Sequence, residues 1–380
     1  MNDDGEIPHS MPRNTGASSP HRLPPSVGRK LTFIGLSISM GLIFAAVLSE
    51  LALRVVDWPV PGLDTGGAVA DWKVKVTGRE GGTYPPGTWR LRHYDFDVEW
   101  VANSDGFHER ERVPKKEGVY RIGLLGDSFT AGYGVAMDKR FSQIWFNQFA
   151  DQNPNTEVWN LSTGLCGTAH LADVMAGVGK EYGFDEVILS FYPGNDLTDN
   201  QAWIRAEETG LTPSTHDDAN GLIPTLRRNS RLLTFLWSHG LRSLKSYPPK
   251  GVFREAEFKE LWPPTEISLD RFRENTKGLP MTIWYLPTEA EYSDSFWKPQ
   301  AEKFQYLEAD RHRARESLAK WAKLNAVEFV DLTPSLKGQI PAEIHFKNDA
   351  HWNELGNLWI GNALAKLPRA TARGRQLSDH

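Results

Sequence analysis

Short apolar runs alternate with helical patterns along the chain after residue 118. The apolar runs cover residues 119–125, 157–161, 186–192, 281–286 and 327–332. Helical patterns cover residues 143–150, 169–180, 303–324 and 353–367. Nearly continuous apolar strands that alternate with helices are typical of a parallel sheet with helices on both faces. The pattern therefore predicts a three-layer α/β domain over residues 119–368.

Residues 200–279 interrupt this alternation. The stretch is too long for a simple crossover, so it predicts an insertion with its own helix near residues 231–244. That helix mixes leucines and aromatic residues with arginines. A lid or a membrane-surface helix has such a composition, but we favour packing of its apolar side on the main domain.

An uncharged apolar segment near the N-terminus, residues 31–49, is just long enough to span a bilayer. Basic residues cluster before it, whereas Arg54 stands nearly alone after it. This bias predicts a single-pass anchor over residues 31–53, with a disordered cytoplasmic tail at 1–30 and the large domain outside the cytoplasm. A cleaved signal peptide and a buried core helix are the alternatives. The long preceding tail and the lack of a clear small-x-small cleavage site favour an uncleaved anchor.

The remaining segments are short and differ in composition from the main domain. Residues 54–118 are rich in Gly, Pro and Trp, which predicts a linker followed by a β-rich lead-in. Residues 369–380 form a polar tail.

Composition narrows the class of protein. The chain has 380 residues, of which 40% are hydrophobic and 14 are Trp, so it can bury a sizeable core. Its net charge of −5 comes without a basic stripe, which argues against nucleic acid as a partner. The single cysteine, Cys166, excludes an internal disulfide.

Candidate chemistry lies in the turns that follow the strands, because ligands of open parallel sheets collect beyond the carboxyl ends of the strands. The first strand runs into Gly126-Asp127-Ser128, which places Ser128 at the start of a helical turn with its own N–H unpaired. Such a serine can act as a nucleophile and its N–H can bind an oxyanion. Taken alone, the motif is more often an ordinary turn or helix cap.

Two later turns carry further candidates. Asn195 follows the third strand, where its amide could donate to an oxyanion or simply cap a helix. Asp349 and His351 precede the last helix with a spacing that lets both side chains face one way. The carboxylate could then hold the imidazole tautomer that accepts a proton from Ser128. As an isolated pair, Asp-x-His is more often a surface hydrogen bond.

Along the chain, the Gly-Asp-Ser turn comes first, the Asn195 turn later and the Asp-x-His pair near the end. Motifs in this order resemble those of the SGNH/GDSL hydrolase superfamily over about residues 103–367. The resemblance implies a flavodoxin-like fold, with Ser128 as nucleophile, His351 as base and Asp349 as orienting acid. It also implies an oxyanion hole formed by the Ser128 N–H, a backbone N–H from the second motif and the Asn195 amide.

The chain departs from the family at that second motif. Counting from the motif's asparagine, Asn160, the usual glycine position is Leu165, with Gly164 just before it. Either Gly164 or the Leu165 N–H would serve as donor. The Asp-x-His spacing is shorter than the familiar Asp-x-x-His and is similar to that of polysaccharide O-acetyltransferases.

Other chemistries have weaker support. No Gly-x-Ser-x-Gly elbow, phosphate loop or dinucleotide fingerprint is found, and the 11 histidines lack zinc-ligand spacing, so no cofactor or metal is expected. His345 with His351 is a weak metal pair. Cys166 beside His170 could be a thiol nucleophile, but a buried hydrophobic role is favoured.

These observations predict a serine hydrolase that cleaves esters, an esterase or deacetylase, through an acyl-enzyme on Ser128. The expected substrate is a glycan or lipid of the cell envelope. An O-acyltransferase with the same triad is the first alternative. A non-catalytic glycan-binding protein with a decayed oxyanion hole is the second.

Overall fold

The computed structural model describes residues 27–56, 84–93, 95–164, 166–210, 229–236, 252–276, 278–338, 343–347 and 349–367. The predicted polar tail at the C-terminus, most of the predicted N-terminal tail and linker, and much of the predicted insertion lie outside these residues. Leu165 and Asn348 also lie outside them.

The N-terminal apolar segment forms one long helix, α1, Val27–Val55. Its large apolar side chains are exposed, among them Phe33, Leu42 and Ile43. The helix is long and apolar enough to cross a membrane. A signal sequence near an N-terminus has the same properties.

Five parallel strands form the main sheet, and each of the five predicted apolar runs overlaps one of them. The strands are β3 Tyr120–Leu125, β4 Thr156–Asn160, β5 Glu186–Phe191, β6 Met281–Tyr285 and β7 Glu328–Asp331. Their order in the sheet is β4-β3-β5-β6-β7. This is the flavodoxin-like order, and the point where the order reverses, beside β3, is where such folds bind ligands.

A separate antiparallel hairpin precedes the sheet, made of β1 Gly87–Arg92 and β2 Asp97–Ala102. Its buried residues Leu91, Phe96 and Trp100 pack with Ala131, which lies just after the first strand of the main sheet. The predicted β-rich lead-in therefore contains a hairpin that packs beside the carboxyl end of β3.

The helices of the main domain flank the sheet. They are α2 Ser128–Ala131, α3 Phe141–Gln152, α4 Thr168–Ala176, α5 Asp196–Thr209, α6 Arg231–Leu236, α7 Glu255–Asn275, α8 Glu289–Tyr292, α9 Asp294–Phe304, α10 Arg313–Leu324, α11 Thr333–Leu336 and α12 Glu354–Ala365. Short 3-10 turns lie at Met137–Lys139, Val178–Tyr182 and Glu308–His312.

The two faces of the sheet have separate cores, as the three-layer prediction requires. On β3, Ile122 and Leu124 pack with α3 and α12, whereas Leu125 packs in the core that includes residues of α4, α7 and α10. Alternate residues of a strand point to opposite faces, so one buried strand contributes to both cores.

One predicted helix is divided in the structure. The pattern at 303–324 belongs to two helices, α9 and α10, because Gln305 adopts a left-handed conformation with φ of 57° and ends α9. The helical pattern at 169–180 likewise ends early, at Gly177. Periodicity alone does not detect such breaks, since both sides of the break bury apolar residues.

The helix α7, which falls inside the range predicted to be an insertion, packs in the main core through Phe258, Leu269 and Phe272. It contains Pro263 and Pro264, and a proline cannot donate to the carbonyl four residues earlier. The carbonyl of Glu260, which Pro264 leaves without its usual donor, accepts a hydrogen bond from the Gln201 amide at 3.2 Å. The extent of the insertion stays a prediction.

A buried ion pair joins the lead-in to the main sheet. Glu109 and Arg140 are each 2% exposed, and Arg140 Nη2 lies 2.7 Å from Glu109 Oε2. The same carboxylate oxygen accepts the Asn160 N–H at 3.0 Å, and Glu109 Oε1 accepts the Arg110 N–H at 3.0 Å. Burial opposes ionisation of Glu109, but the charges of Arg140 and Arg110 outweigh it and lower the pKa.

Glu109→Gln should lower the free energy of unfolding by about 3–5 kcal/mol, because it leaves the Arg140 guanidinium buried without a counter-charge. Arg254→Met is the control, since it removes an ion pair with Glu257 in which both side chains are nearly half exposed. Urea denaturation of the full chain in detergent measures both variants. Equal urea midpoints for the two would contradict the expectation.

Candidate active site

The turn after β3 holds Ser128 at the first residue of a one-turn helix. A Cβ on Gly126 would collide with Thr130, so the chain turns sharply here only with glycine. The Asp127 side chain caps the turn by accepting the Phe129 N–H at 3.0 Å. Gly132 ends it in a left-handed conformation with φ of 80°. Ser128 is thereby presented at the carboxyl edge of the sheet.

The structure brings Ser128, His351 and Asp349 together. Ser128 Oγ lies 2.6 Å from His351 Nε2. His351 Nδ1 bonds to Asp349 Oδ1, which also accepts the His351 backbone N–H at 2.8 Å. Because a carboxylate only accepts, Nδ1 carries the proton and Nε2 is free to accept from the serine hydroxyl. This is the arrangement of a nucleophile, a base and an orienting acid.

Asp349 is held in its charged form. Burial by itself opposes ionisation, but the hydrogen bonds and charge of His351 outweigh it and lower the pKa of Asp349 to about 2. His93, from the loop of the β1–β2 hairpin, also lowers this pKa through its charge. A charged Asp349 can accept the Nδ1 proton of His351 and fix the ring tautomer.

Aromatic rings enclose the imidazole of His351. The ring centroid of Phe129 lies 4.6 Å from that of His351, and the ring of Tyr133 lies at 4.8 Å. Both rings come from the nucleophile turn or just after it, and the Tyr133 N–H donates to the Ser128 carbonyl at 3.0 Å. The base is therefore positioned by packing as well as by Asp349.

The loop that carries the base has its own support. His345 Nδ1 donates to the Ala350 carbonyl at 2.7 Å, and its Nε2 accepts from the Tyr292 hydroxyl at 2.7 Å. The Phe346 N–H donates to the His351 carbonyl at 3.0 Å. In the sequence, His345 was only a weak candidate for a metal ligand. In the structure it orients the backbone between Asp349 and His351.

The candidate oxyanion donors differ in how their N–H or amide groups are placed relative to Ser128. Gly164 is close to the nucleophile, because a Cβ built on it would lie 3.8 Å from Ser128 Cβ. Leu165, the alternative donor, lies outside the described residues. Asn195 Nδ2 donates to Asp199 Oδ2 at 3.0 Å, and the same amide approaches the Asp127 carboxylate and lowers its pKa. The Asn195 amide thus faces carboxylates in this structure.

Buried carboxyl groups lie behind the nucleophile. Burial raises the pKa of Asp127 to about 6, although the charge of His351 and the N–H groups of the turn oppose this rise. Burial and the neighbouring Asp127 raise the pKa of Asp196 well above its ordinary value. Asp196 caps the next turn, where its Oδ2 accepts the Tyr192 N–H at 2.9 Å.

Cys166 and His170 do not form a catalytic pair. The Cys166 thiol is buried and directed at the Thr163 carbonyl at 3.2 Å, and burial raises its pKa well above the ordinary value. Burial lowers the pKa of His170 to about 4, and its ring packs edge-on against Trp203. Within the described residues, no group of three His, Cys, Asp or Glu side chains could hold a metal ion.

Sequence reasoning missed two residues beside the nucleophile, Tyr133 and Tyr84. Tyr133 could have been suspected, since it follows the Ser128 turn directly. Tyr84 lies in the lead-in, and its phenol oxygen lies 3.1 Å from the position of a Cβ on Gly164. No local pattern in the sequence connects it with Ser128.

Comparisons with known proteins identify one matching family. The family model described as GDSL-like lipase/acylhydrolase matches residues 122–364. Solved structures with a similar fold include a lipolytic G-D-S-L protein from Veillonella parvula (13% identity, 66% of this chain and 98% of that chain, TM-score 0.35). A lipase/acylhydrolase from Enterococcus faecalis has 15% identity, with 66% of this chain and 95% of that chain covered and a TM-score of 0.36. A family 3 carbohydrate esterase from Clostridium thermocellum has 10% identity, with 65% of this chain and 94% of that chain covered and a TM-score of 0.36. A search of curated proteins gives no match.

Asp349→Asn should destabilise the fold in a pH-dependent way. The folded-state pKa of about 2 lies below the ordinary 3.8, so ionised Asp349 stabilises the fold above about pH 4. This contribution, about 2 kcal/mol, is lost as the pH falls from about 4 to about 2. The measurement is the difference in free energy of unfolding between wild type and variant across this range.

Asp97→Asn in the exposed part of the hairpin is the matched control for this titration. A difference between wild type and Asp349→Asn that stayed constant from neutral pH to about pH 2 would contradict the assignment.

Proposed function

Because this chain belongs to the GDSL-like lipase/acylhydrolase family, we propose that it is a serine esterase in which Ser128 forms an acyl-enzyme. The observation that carries the proposal is the 2.6 Å contact between Ser128 Oγ and His351 Nε2, with Asp349 bonded to the other ring nitrogen. The three groups come from two distant parts of the chain. Their alignment has no evident structural purpose, since Ser128 already lies in a capped turn.

The proposed reaction follows from the hydrogen-bond directions. His351 Nε2 takes the Ser128 hydroxyl proton while Oγ bonds to the ester carbonyl carbon, and the carbonyl oxygen becomes an oxyanion. The tetrahedral intermediate then loses the alcohol, which receives the proton from Nε2, and leaves an acyl group on Oγ. A second hydroxyl compound resolves the acyl-enzyme by the same proton transfers. Asp349 stays charged and stabilises the imidazolium throughout.

The identity of that second compound separates two activities. Water makes the protein an esterase or deacetylase, and a sugar hydroxyl makes it an O-acyltransferase. The Asp-x-His spacing supports the transferase as a second candidate. The substrate class that we propose is an ester of a cell-envelope glycan or lipid, supported by the N-terminal apolar helix and by the 14 tryptophans.

Ser128→Ala should abolish release of p-nitrophenol from its acetate and butyrate esters by the full chain in detergent, because it removes the hydroxyl that contacts His351 Nε2. We expect a loss of at least about 10³-fold in kcat/KM. Ser104→Ala, on an exposed position of the lead-in, should retain wild-type turnover. Equal turnover by wild type and Ser128→Ala would leave the non-catalytic glycan-binding protein as the better explanation.

An added oligosaccharide acceptor tests the transferase alternative with the same enzyme. Acetyl-oligosaccharide formed in a Ser128-dependent way, detected by mass spectrometry, would assign acyl transfer. Acetate alone as product would assign hydrolysis.

We further propose that α1 is an uncleaved single-pass anchor with the large domain outside the cytoplasm. The exposed apolar surface of the helix and the basic residues before it support this. After expression, the chain should resist extraction from membranes at alkaline pH and keep its full mass of 42.8 kDa. Protease added to spheroplasts should digest the large domain. A shortened, extractable chain would instead show cleavage of a signal sequence.

A further inference from the structure

Tyr84, a residue of the lead-in, lies beside Gly164, one of the proposed oxyanion donors. Its phenol oxygen lies 3.1 Å from the position of a Cβ on Gly164, and that same position lies 3.8 Å from Ser128 Cβ. The hydroxyl and the nucleophile therefore both lie beside Gly164. The Gly164 N–H also approaches the Tyr84 oxygen, so the hydroxyl lies next to one of the proposed oxyanion donors.

The Tyr84 hydroxyl is buried without a hydrogen-bond partner that meets normal geometry in the described part of the chain. A buried hydroxyl in this state costs free energy, and natural proteins retain few of them outside functional sites. Burial also raises the pKa of Tyr84 far above its ordinary value, and the approach of the Gly164 N–H offsets this only in part. The phenol thus keeps its proton and can donate it to a newly arrived acceptor.

The ring of Tyr84 is held in place from two directions. Its backbone N–H donates to the Gly106 carbonyl at 3.1 Å, which ties the residue to the lead-in. Its ring packs edge-on against Trp100 of β2, with centroids 5.3 Å apart. A donor fixed in this way needs little reorganisation when charge develops on the substrate, which is the property that makes an oxyanion donor effective.

A further hydrogen-bond donor to the oxyanion would compensate for two features of this site. The Asn195 amide donates to Asp199 and approaches Asp127, so its hydrogens are directed at carboxylates. Asp127 directly precedes Ser128, and its charge at neutral pH opposes a further negative charge nearby. Backbone N–H groups alone would have to offset this repulsion.

We infer that the Tyr84 hydroxyl donates a hydrogen bond to the oxyanion of the tetrahedral intermediate on Ser128, beside the N–H groups of Ser128 and Gly164. The inference rests on the proposed function. No bond to Tyr84 forms or breaks, and the phenol keeps its proton through the cycle. Tyr84 is then a catalytic residue supplied by the lead-in.

Tyr84→Phe in the full chain in detergent tests this inference. We expect kcat for p-nitrophenyl acetate to fall by about 10²–10³-fold with little change in KM, because the bond forms only in the transition state. Phenylboronic acid, which forms a tetrahedral anion on the serine oxygen, should lose affinity for the variant by a comparable factor. The urea midpoint should change little, since the Tyr84 hydroxyl has no partner that meets normal hydrogen-bond geometry in the described part of the chain.

Tyr182→Phe is the matched control, because the Tyr182 hydroxyl donates to Asp105 at 2.8 Å and accepts from the Asn103 amide at 3.4 Å, and neither partner belongs to the proposed site. It should lower the urea midpoint and leave kcat and phenylboronic acid affinity unchanged. The two tyrosine variants are thus expected to show opposite effects on stability and turnover.

The outcomes separate the inference from the proposed function. Wild-type or increased kcat in Tyr84→Phe, with turnover still lost in Ser128→Ala, would overturn the role of Tyr84 and leave the serine mechanism standing. Absence of Ser128-dependent turnover in the wild type would overturn both. A fall in kcat with unchanged phenylboronic acid affinity would also contradict an oxyanion contact.

Discussion

The buried ion pair between Glu109 and Arg140 is the constraint that makes the lead-in part of the catalytic domain. Two charges removed from water are tolerated only when each has several hydrogen-bonding partners. Here the Glu109 carboxylate is bonded to Arg140 and to the Asn160 N–H at the end of β4. Asn160 in turn donates to the Thr130 carbonyl in the nucleophile turn at 2.7 Å. These hydrogen bonds therefore connect the buried ion pair of the lead-in to Thr130, two residues after Ser128.

The hairpin adds aromatic packing to this polar link. Phe96 contacts Phe346 at a centroid distance of 4.9 Å and Tyr133 at 5.4 Å, and these two residues lie beside the His351 loop and the nucleophile turn. Aromatic contacts of this kind restrict ring positions beyond simple burial of area. The serine and the histidine are consequently held against each other from outside the sheet as well as from its strand ends.

The electrostatics of the site divide into two regions. Around His351, the hydrogen bonds from the ring and its backbone N–H keep Asp349 ionised. Behind Ser128, burial and mutual repulsion favour the neutral form of Asp196, which limits the negative charge near a forming oxyanion. Asp127, whose pKa of about 6 leaves it mainly charged at neutral pH, remains the negative group next to Ser128 that an oxyanion donor such as Tyr84 would have to offset.

Local patterns in the sequence determined the fold class, because strand and helix periodicities depend on neighbours a few residues apart. The five strands and the position of Ser128 after the first of them follow from such patterns. The roles of Ser128, Asp349 and His351 were predicted from motif order. The 2.6 Å contact between Ser128 Oγ and His351 Nε2 appears only in three dimensions. The break at Gln305, the packing of α7 in the core and the bond from Asn195 to Asp199 were decided by tertiary structure. So was the approach of Tyr84 to Gly164, because it depends on which distant groups packing brings together and no local pattern records that.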